Sequence, residues 1–196
     1  ERIYPASMTK IMTALLTIEN LPDLNETITV PEDIFEELTA QDASVAGFNP
    51  YEQPTVRDLL YGVLLPSGAD ACETLARAVG GSEEGFVAMM NQKAEELGLT
   101  NTHFENCTGL HNDNHYSTCR DIAVLMSECL KSDTFREIVT REVYTTEATA
   151  SHPEGITLYD TMLHRFTSYE MSTTLENGAV IEGGKTGFTD EAGQCL

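Results

Sequence analysis

The sequence predicts an α+β fold in which a mostly helical lobe comes first and most of the strand-like material comes late. Apolar residues recur at three- and four-residue spacing in several segments of the first two thirds of the chain, as in amphipathic helices. After Arg141 the pattern turns to short β-branched runs and loops. The chain has 196 residues, of which 41% are hydrophobic, enough for one domain with a real core. We expect one domain over residues 1–196, with a helical lobe at about 7–140 and a strand-containing part at about 141–196.

The predicted helices begin and end at residues that favour helix termini. The first runs from Ser7 to Glu19 and ends at Leu21-Pro22. Three of the later helices start at a capping side chain, namely Thr55, Ser82 and Thr118. Helices are expected at about 55–65, 69–79, 82–97 and 118–130, loops at 40–54 and 101–117, and strands at 27–30, 143–146, 179–181 and 183–187.

The charge balance excludes some classes of function. The chain carries 11 Lys plus Arg against 32 Asp plus Glu, a net charge of −21. Such a chain repels nucleic acid and anionic membrane surfaces, so a sequence-blind nucleic-acid binder is excluded. No apolar run approaches the roughly 18–20 residues of a membrane span. The first residues do not resemble a signal peptide, so we expect any export signal to lie outside this chain.

The first candidate for chemistry is the tetrapeptide Ser7-Met8-Thr9-Lys10 at the start of the first helix. A spacing of three places the hydroxyl and the amine on one helix face, a turn apart. A serine hydroxyl needs a neighbouring base to become a nucleophile, and a lysine serves when its surroundings keep it neutral. The pattern alone is weakly specific, because a solvated helix start also accounts for it.

Two further segments could complete a site. Lys185-Thr186-Gly187 follows two glycines, so a ligand can approach the backbone while Lys185 and Thr186 hold a carboxylate. Ser67-Gly68 lies at a predicted break between two helices, where a serine can point into a cleft. Taken alone, Ser67 is more simply explained as an ordinary turn residue that caps the next helix.

Together and in this order, these elements match the Ser-x-x-Lys, Ser-x-Asn and Lys-Thr-Gly set of penicillin-recognising serine enzymes. The surrounding sequence resembles the low-molecular-weight penicillin-binding proteins, which are serine-type D-alanyl-D-alanine carboxypeptidases of the bacterial cell wall. The resemblance runs from about residue 2 to residue 196. The segments that carry it are Tyr4–Lys10, Asp58–Ala71, Thr108–His111, His115–Thr118 and Gly184–Gly193.

The resemblance implies a β-lactamase/DD-peptidase-like fold and a role for each motif residue. Ser7 would be the acylated nucleophile, Lys10 its proton acceptor, and Ser67 a proton relay to the leaving group. Lys185, Thr186 and Gly187 would bind the substrate, with the side chains of Lys185 and Thr186 on its terminal carboxylate. The backbone N–H groups of Ser7 and Phe188 would form the oxyanion hole. No metal or other cofactor takes part in that scheme.

The resemblance also implies partners and a location. The substrate would be a peptidoglycan stem peptide ending in D-Ala-D-Ala, and β-lactam antibiotics would acylate the same serine. The protein would act in the cell envelope, as an exported protein, and family members often carry a membrane anchor C-terminal to this region. Nucleic acid is not an expected partner.

Two departures from the family pattern bear on activity. Ala69 stands where the family usually has Asn, although the nearby Asp70 or a water could substitute in part. Strands that usually flank the family's motifs are not visible, so the chain looks like a fragment with an incomplete antiparallel sheet. We therefore expect the Lys185 strand to lack its neighbours, to be mobile or paired with a second copy, and the isolated chain to be poorly active.

Other readings of these residues stay open at this point. His111-x-Asp113-x-His115 could hold a metal in a loop, and Cys107 and Cys119 could form a disulfide that bridges that loop. Ala69 motivates a non-catalytic module that binds wall peptides or penicillin. A serine β-lactamase shares the nucleophile and Lys-Thr-Gly, but no convincing Glu-x-x-x-Asn that would activate a deacylating water lies between Ser67 and Lys185.

Overall fold

Four helices begin at a capping side chain, which explains where they start. In the computed structural model, which describes residues 1–196, Thr55 and Asp58 form a reciprocal capping box. Ser82, Thr118 and Ser132 each accept a hydrogen bond from the backbone N–H three residues later. The helices are α1 (Lys10–Asn20), α2 (Ile34–Ala40), α3 (Val56–Leu64), α4 (Ala69–Gly80), α5 (Glu83–Glu96), α6 (Cys119–Cys129), α7 (Asp133–Val139) and α8 (Leu163–Ser168).

Helix α1 lies at the centre of the helical lobe. All of its residues from Lys10 to Thr17 are buried, and it packs against α3, α4, α5, α6 and α7. A helix that is apolar on nearly every side can be stable in water only when other elements surround it. The surrounding helices therefore fix the position of Lys10, the first residue of α1. No helix is long and apolar enough to span a bilayer.

Two small antiparallel hairpins accompany the helices, which confirms the α+β class. Strand β1 (Val143–Thr145) pairs with β2 (Thr157–Tyr159), and β3 (Gly187–Thr189) pairs with β4 (Gly193–Cys195). In the second hairpin Phe188 lies opposite Gln194. The hairpin places β3 next to the 3-10 turn Ala6–Thr9 that precedes α1.

Three strand predictions are wrong in detail. Residues 27–30 form only an isolated bridge between Thr27 and Thr55, and the facing segment includes Pro54, which has no N–H to donate to a ladder. Residues 179–181 likewise contribute only a bridge, between Thr174 and Val180. Lys185 and Thr186 precede β3, and of that motif only Gly187 lies on the strand.

The expectation that the Lys185 strand lacks a neighbour is also wrong. β4 follows β3 within the same chain and pairs with one of its edges, so β3 is not a lone strand. The short elements α2, α7, α8, β2 and β4 were not predicted. Helices of six or seven residues make at most two turns, too few for the apolar spacing to show.

Candidate active site

The first pair of motif residues is in contact. Ser7 lies on the 3-10 turn and is partly exposed, whereas Lys10 is 3% exposed. Nζ of Lys10 donates to Oγ of Ser7 at 3.1 Å and to the carbonyl oxygen of Thr108 at 2.6 Å. The spacing of three thus places the two groups within hydrogen-bond reach, as predicted.

Burial makes the neutral, proton-accepting form of the Lys10 amine more accessible. Removal from water disfavours the charged ammonium and lowers the pKa of Lys10 from its usual value. A neutral amine keeps one lone pair and two N–H groups. Since the Thr108 carbonyl accepts one N–H, the lone pair is free to face the Ser7 hydroxyl.

The second pair joins residues far apart in the sequence. Nζ of Lys185 donates to Oγ of Ser67 at 2.9 Å and to its neighbour's carbonyl oxygen, that of Thr186, at 2.8 Å. Ser67 lies between α3 and α4 with a φ of 67°, in the left-handed region that costs a serine about 1 kcal/mol or more. Strained backbone of this kind is often found at functional sites.

The pKa of Lys185 depends on its burial and on Lys10. Burial, and after it the positive charge of Lys10, lowers the pKa of Lys185 to about 7. The buried carboxylate of Asp160 opposes that shift. A protonated Lys185 in this low dielectric favours an incoming anion such as a carboxylate.

Two glycines lie where other backbone segments pack closely against Ser7. A Cβ on Gly109 would lie 1.9 Å from the carbonyl oxygen of Ala6 and 3.0 Å from the backbone nitrogen of Ser7. A Cβ on Gly187 would also lie 3.0 Å from that nitrogen. The loop before α6 can therefore approach Ser7 only because Gly109 lacks a side chain, and the absence of a side chain at Gly187 leaves room for the edge of β3.

A cleft of about 560 Å³ opens over this arrangement. Its lining includes Ser7, Lys10, Ala69, Gly109 and Phe188. Phe188 is 57% exposed at its edge, whereas Ser67 and Lys185 are buried, at 6% and 3% exposure. Thr186 is half-buried, and its hydroxyl shares a 2.6 Å hydrogen bond with that of Thr161.

Asp70 does not replace the missing asparagine. Its carboxylate accepts hydrogen bonds from the backbone N–H groups of Ala46, Gly47 and Phe48, at 2.7, 2.9 and 3.0 Å. These bonds hold the 40–54 loop against α4. Ala69 itself lines the cleft and offers only a methyl group there.

The alternative metal site in the 111–115 loop is not formed. Both ring nitrogens of His115 are occupied, Nε2 with the Thr9 hydroxyl at 2.8 Å and Nδ1 with the N–H of Glu105 at 3.2 Å. His111 instead lies near Asp113 and Glu191. The five cysteines are all free, including Cys107 and Cys119.

Some residues of the site were missed from the sequence. Thr108 contributes through its carbonyl oxygen, which every residue type carries, so its side chain gives no signal. Asp160 lies near Lys185 only because the chain folds back over α3, where the N–H of Thr161 donates to the carbonyl of Leu65. Gly109 belongs to a segment that resembles the family, but its steric role is visible only in the structure.

The chain is similar to known proteins along its whole length. The family profile described as D-alanyl-D-alanine carboxypeptidase matches residues 1–196. D-alanyl-D-alanine carboxypeptidase DacF of Bacillus subtilis is 36% identical over 197 residues, which cover 100% of this chain and 47% of the relative. A D-alanyl-D-alanine carboxypeptidase of Streptomyces sp. strain K15 is 36% identical over 198 residues, covering 97% of this chain and 65% of the relative.

Solved structures give the same result. The crystal structure of the Streptomyces K15 DD-transpeptidase superposes with a TM-score of 0.85 at 33% identity, covering 100% of this chain and 75% of that one. Penicillin binding protein 6B of Escherichia coli superposes with a TM-score of 0.81 at 28% identity, and the match covers 99% of this chain and 58% of that one. The chain thus spans about half the length of DacF and just under two thirds of the K15 relative. With its whole length matched by one family profile, the chain belongs to the D-alanyl-D-alanine carboxypeptidase family.

Proposed function

We propose that this protein is a serine-type D-Ala-D-Ala carboxypeptidase that removes the terminal D-alanine of peptidoglycan stem peptides. The reaction passes through an acyl-enzyme on Ser7, and penicillin acylates the same residue. The observation that carries the proposal is the 3.1 Å contact between the Ser7 hydroxyl and the buried Lys10 amine in a member of this family. Because its substrate is peptidoglycan, the protein acts outside the cytoplasmic membrane.

Acylation begins with the Ser7–Lys10 pair. The Ser7 oxygen attacks the carbonyl carbon of the penultimate D-alanine while its proton passes to neutral Lys10. The backbone N–H groups of Ser7 and Phe188 stabilise the oxyanion that forms. When the C–N bond breaks, the proton taken up by Lys10 passes by way of Ser67 to the departing amine. Water then attacks the ester and releases Ser7.

Substrate is held through its terminal carboxylate. Lys185 supplies positive charge while it is protonated and Thr186 supplies a hydroxyl, and the buried position of Lys185 beside Ser67 supports this role. Contact between Lys185 and Ser67 at 2.9 Å links the carboxylate site to the proton relay. Gly187 allows the strand edge that carries Phe188 to approach Ser7.

One assay separates this function from its alternatives. A fluorescent penicillin should label the protein covalently and persist, and a peptide ending in D-Ala-D-Ala should lose one D-alanine. Rapid turnover of the penicillin would instead indicate a β-lactamase. Absence of both labelling and hydrolysis would indicate a non-catalytic binding module.

Ala69→Asn should raise the rate of D-Ala release. An asparagine there adds an amide that can donate to and accept from the peptide, which the adjacent Asp70 cannot do because its carboxylate is occupied by backbone N–H groups. One such hydrogen bond is worth about 0.5–1.5 kcal/mol, or roughly 2–13-fold in kcat/KM. Steady-state hydrolysis of the dipeptide-terminated substrate measures it. An unchanged kcat/KM would mean that the cleft already compensates for the alanine.

The rate of acylation by penicillin should fall as the pH rises through about 7. Lys185 is cationic below that pH and neutral above it, so its attraction for the penicillin carboxylate weakens in that direction. In Lys185→Arg the fall in acylation rate should occur at higher pH, because a guanidinium stays protonated. Second-order acylation rates across pH 5–9 test the assignment, with the melting temperature confirming that the variant folds. If the acylation rate of Lys185→Arg still falls near pH 7, this assignment to Lys185 is contradicted.

A further inference from the structure

Three side chains of ligand type converge outside the cleft. Glu73 lies on α4, Glu83 is the first residue of α5, and Cys107 lies in the loop that precedes α6. One donor atom from each lies within 4.8 Å of the other two. The Cys107 thiol donates to Oε1 of Glu73 at 3.4 Å, and the Cys107 backbone N–H donates to Oε1 of Glu83 at 3.1 Å.

One buried atom of this cluster has no hydrogen-bond partner. Glu73 is 7% exposed and Cys107 is fully buried. Oε2 of Glu73 is the buried side-chain oxygen left without a hydrogen bond, although Nε of Arg77 approaches it to 3.7 Å. A buried carboxylate oxygen without a partner is costly, and a cation bound to the Glu73 carboxylate would offset that cost.

We propose that Glu73, Glu83 and Cys107 form a binding site for a zinc ion, with water as the fourth ligand. Zn²⁺ binds thiolate sulfur at about 2.3 Å and carboxylate oxygen at about 2.0–2.2 Å, which spaces tetrahedral ligand atoms roughly 3.3–3.7 Å apart. Sγ of Cys107 and Oε1 of Glu73 already lie 3.4 Å apart. A cavity of about 240 Å³, lined in part by Glu73 and Glu83, provides the entry path and room for the water.

Charge is balanced when the ion binds. The Cys107 S–H bond breaks, its proton and the proton of any protonated Glu73 carboxyl pass to solvent, and an S–Zn bond forms. One thiolate and two carboxylates exceed the two charges of the ion by one, and the Arg77 guanidinium next to Glu73 offsets that excess. The thiolate favours Zn²⁺ over Mg²⁺ and Ca²⁺, which prefer ligand sets made only of oxygen.

The site lies directly behind the loop that holds the proposed base. The carbonyl of Cys107 accepts a hydrogen bond from the Thr13 hydroxyl at 2.6 Å, and the next carbonyl, that of Thr108, accepts from Lys10. A bound ion therefore ties this loop to α4 and α5. Its role is structural, and it is independent of the proposed reaction.

Cobalt(II) provides a direct probe of the site. Titration of the protein with Co²⁺ should give, at one equivalent, the thiolate-to-metal absorption and the intense visible bands of a tetrahedral site, and Zn²⁺ should displace them. Cys107→Ser should lose the thiolate band and should bind Zn²⁺ more weakly. Loss of a partner in the outer coordination shell weakens metal binding by roughly 10–100-fold, and we expect the loss of this direct ligand to weaken it further. Cys119→Ser is the matched control, because Cys119 is exposed and outside the cluster, and it should bind as the parent does.

Thermal unfolding gives a second readout. Zn²⁺ should raise the melting temperature of the parent and of Cys119→Ser, but not that of Cys107→Ser. If Cys107→Ser fails to fold, Glu73→Gln replaces it as the test variant, because glutamine has the same shape as glutamate. Glu73→Gln should bind Zn²⁺ more weakly and should show no rise in melting temperature with Zn²⁺. Absence of the thiolate band from the parent, or full Zn²⁺ binding by the folded variant, would overturn the proposal.

Discussion

Lys10→Ala should slow the acylation of Ser7 by penicillin by about 10²–10⁴-fold, the usual contribution of a positioned general base. Without the amine, no group within hydrogen-bond distance of the Ser7 hydroxyl remains to accept its proton. Rapid-mixing measurement of the second-order acylation rate tests this. Lys10→Met, which keeps the volume of the aliphatic stem, should be slowed as much and separates loss of the base from loss of packing.

Lys93→Ala is the matched control for charge. Lys93 lies on α5, pairs with Glu19 and Glu96, and is remote from the cleft lining. Its removal deletes the same side-chain type and should leave the acylation rate unchanged. If Lys10→Ala and Lys10→Met fold and acylate at the parental rate, Lys10 is not the base.

Gly109→Ala should unfold or strongly destabilise the protein, by about 2–5 kcal/mol, and slow acylation by about 100-fold or more. Gly109 has a φ of 85°, which costs an alanine about 1–2 kcal/mol. Its new Cβ would also lie 1.9 Å from the Ala6 carbonyl, so the turn that carries Ser7 must move. A shift of about 1 Å at the nucleophile is enough for the loss of rate.

Gly98→Ala separates these two effects. Gly98 has a φ of 70°, but a Cβ there meets no atom within 4 Å. It should therefore lose only the backbone component of about 1–2 kcal/mol and acylate at the parental rate. Urea unfolding with parallel acylation kinetics makes the comparison. Equal behaviour of the two variants would show that close packing against Ala6 does not matter for the site.

The part of the site set by local spacing could be predicted from the sequence. Ser7 and Lys10 are three residues apart, and helical geometry alone brings them together. Likewise, Thr55, Ser82 and Thr118 act on N–H groups three residues ahead, so the helix starts followed from short-range hydrogen bonding.

Contacts across the chain could not be derived in this way. Lys185 meets Ser67 over a separation of 118 residues, and only the resemblance to a family joined them. Asp70 was misread because its carboxylate finds backbone donors in a loop more than 20 residues earlier. The lone strand assigned to Lys185 was wrong because a hairpin of three-residue strands has too little alternation to show in a sequence.

The central claim is that Ser7 is the nucleophile and that Lys10 activates it. Peptide mapping by mass spectrometry after treatment with benzylpenicillin tests it most directly. We predict one penicilloyl group per chain, located on Ser7, and none in Ser7→Ala that has been shown to fold. An adduct on another residue, or labelling of Ser7→Ala equal to that of the parent, would contradict the account.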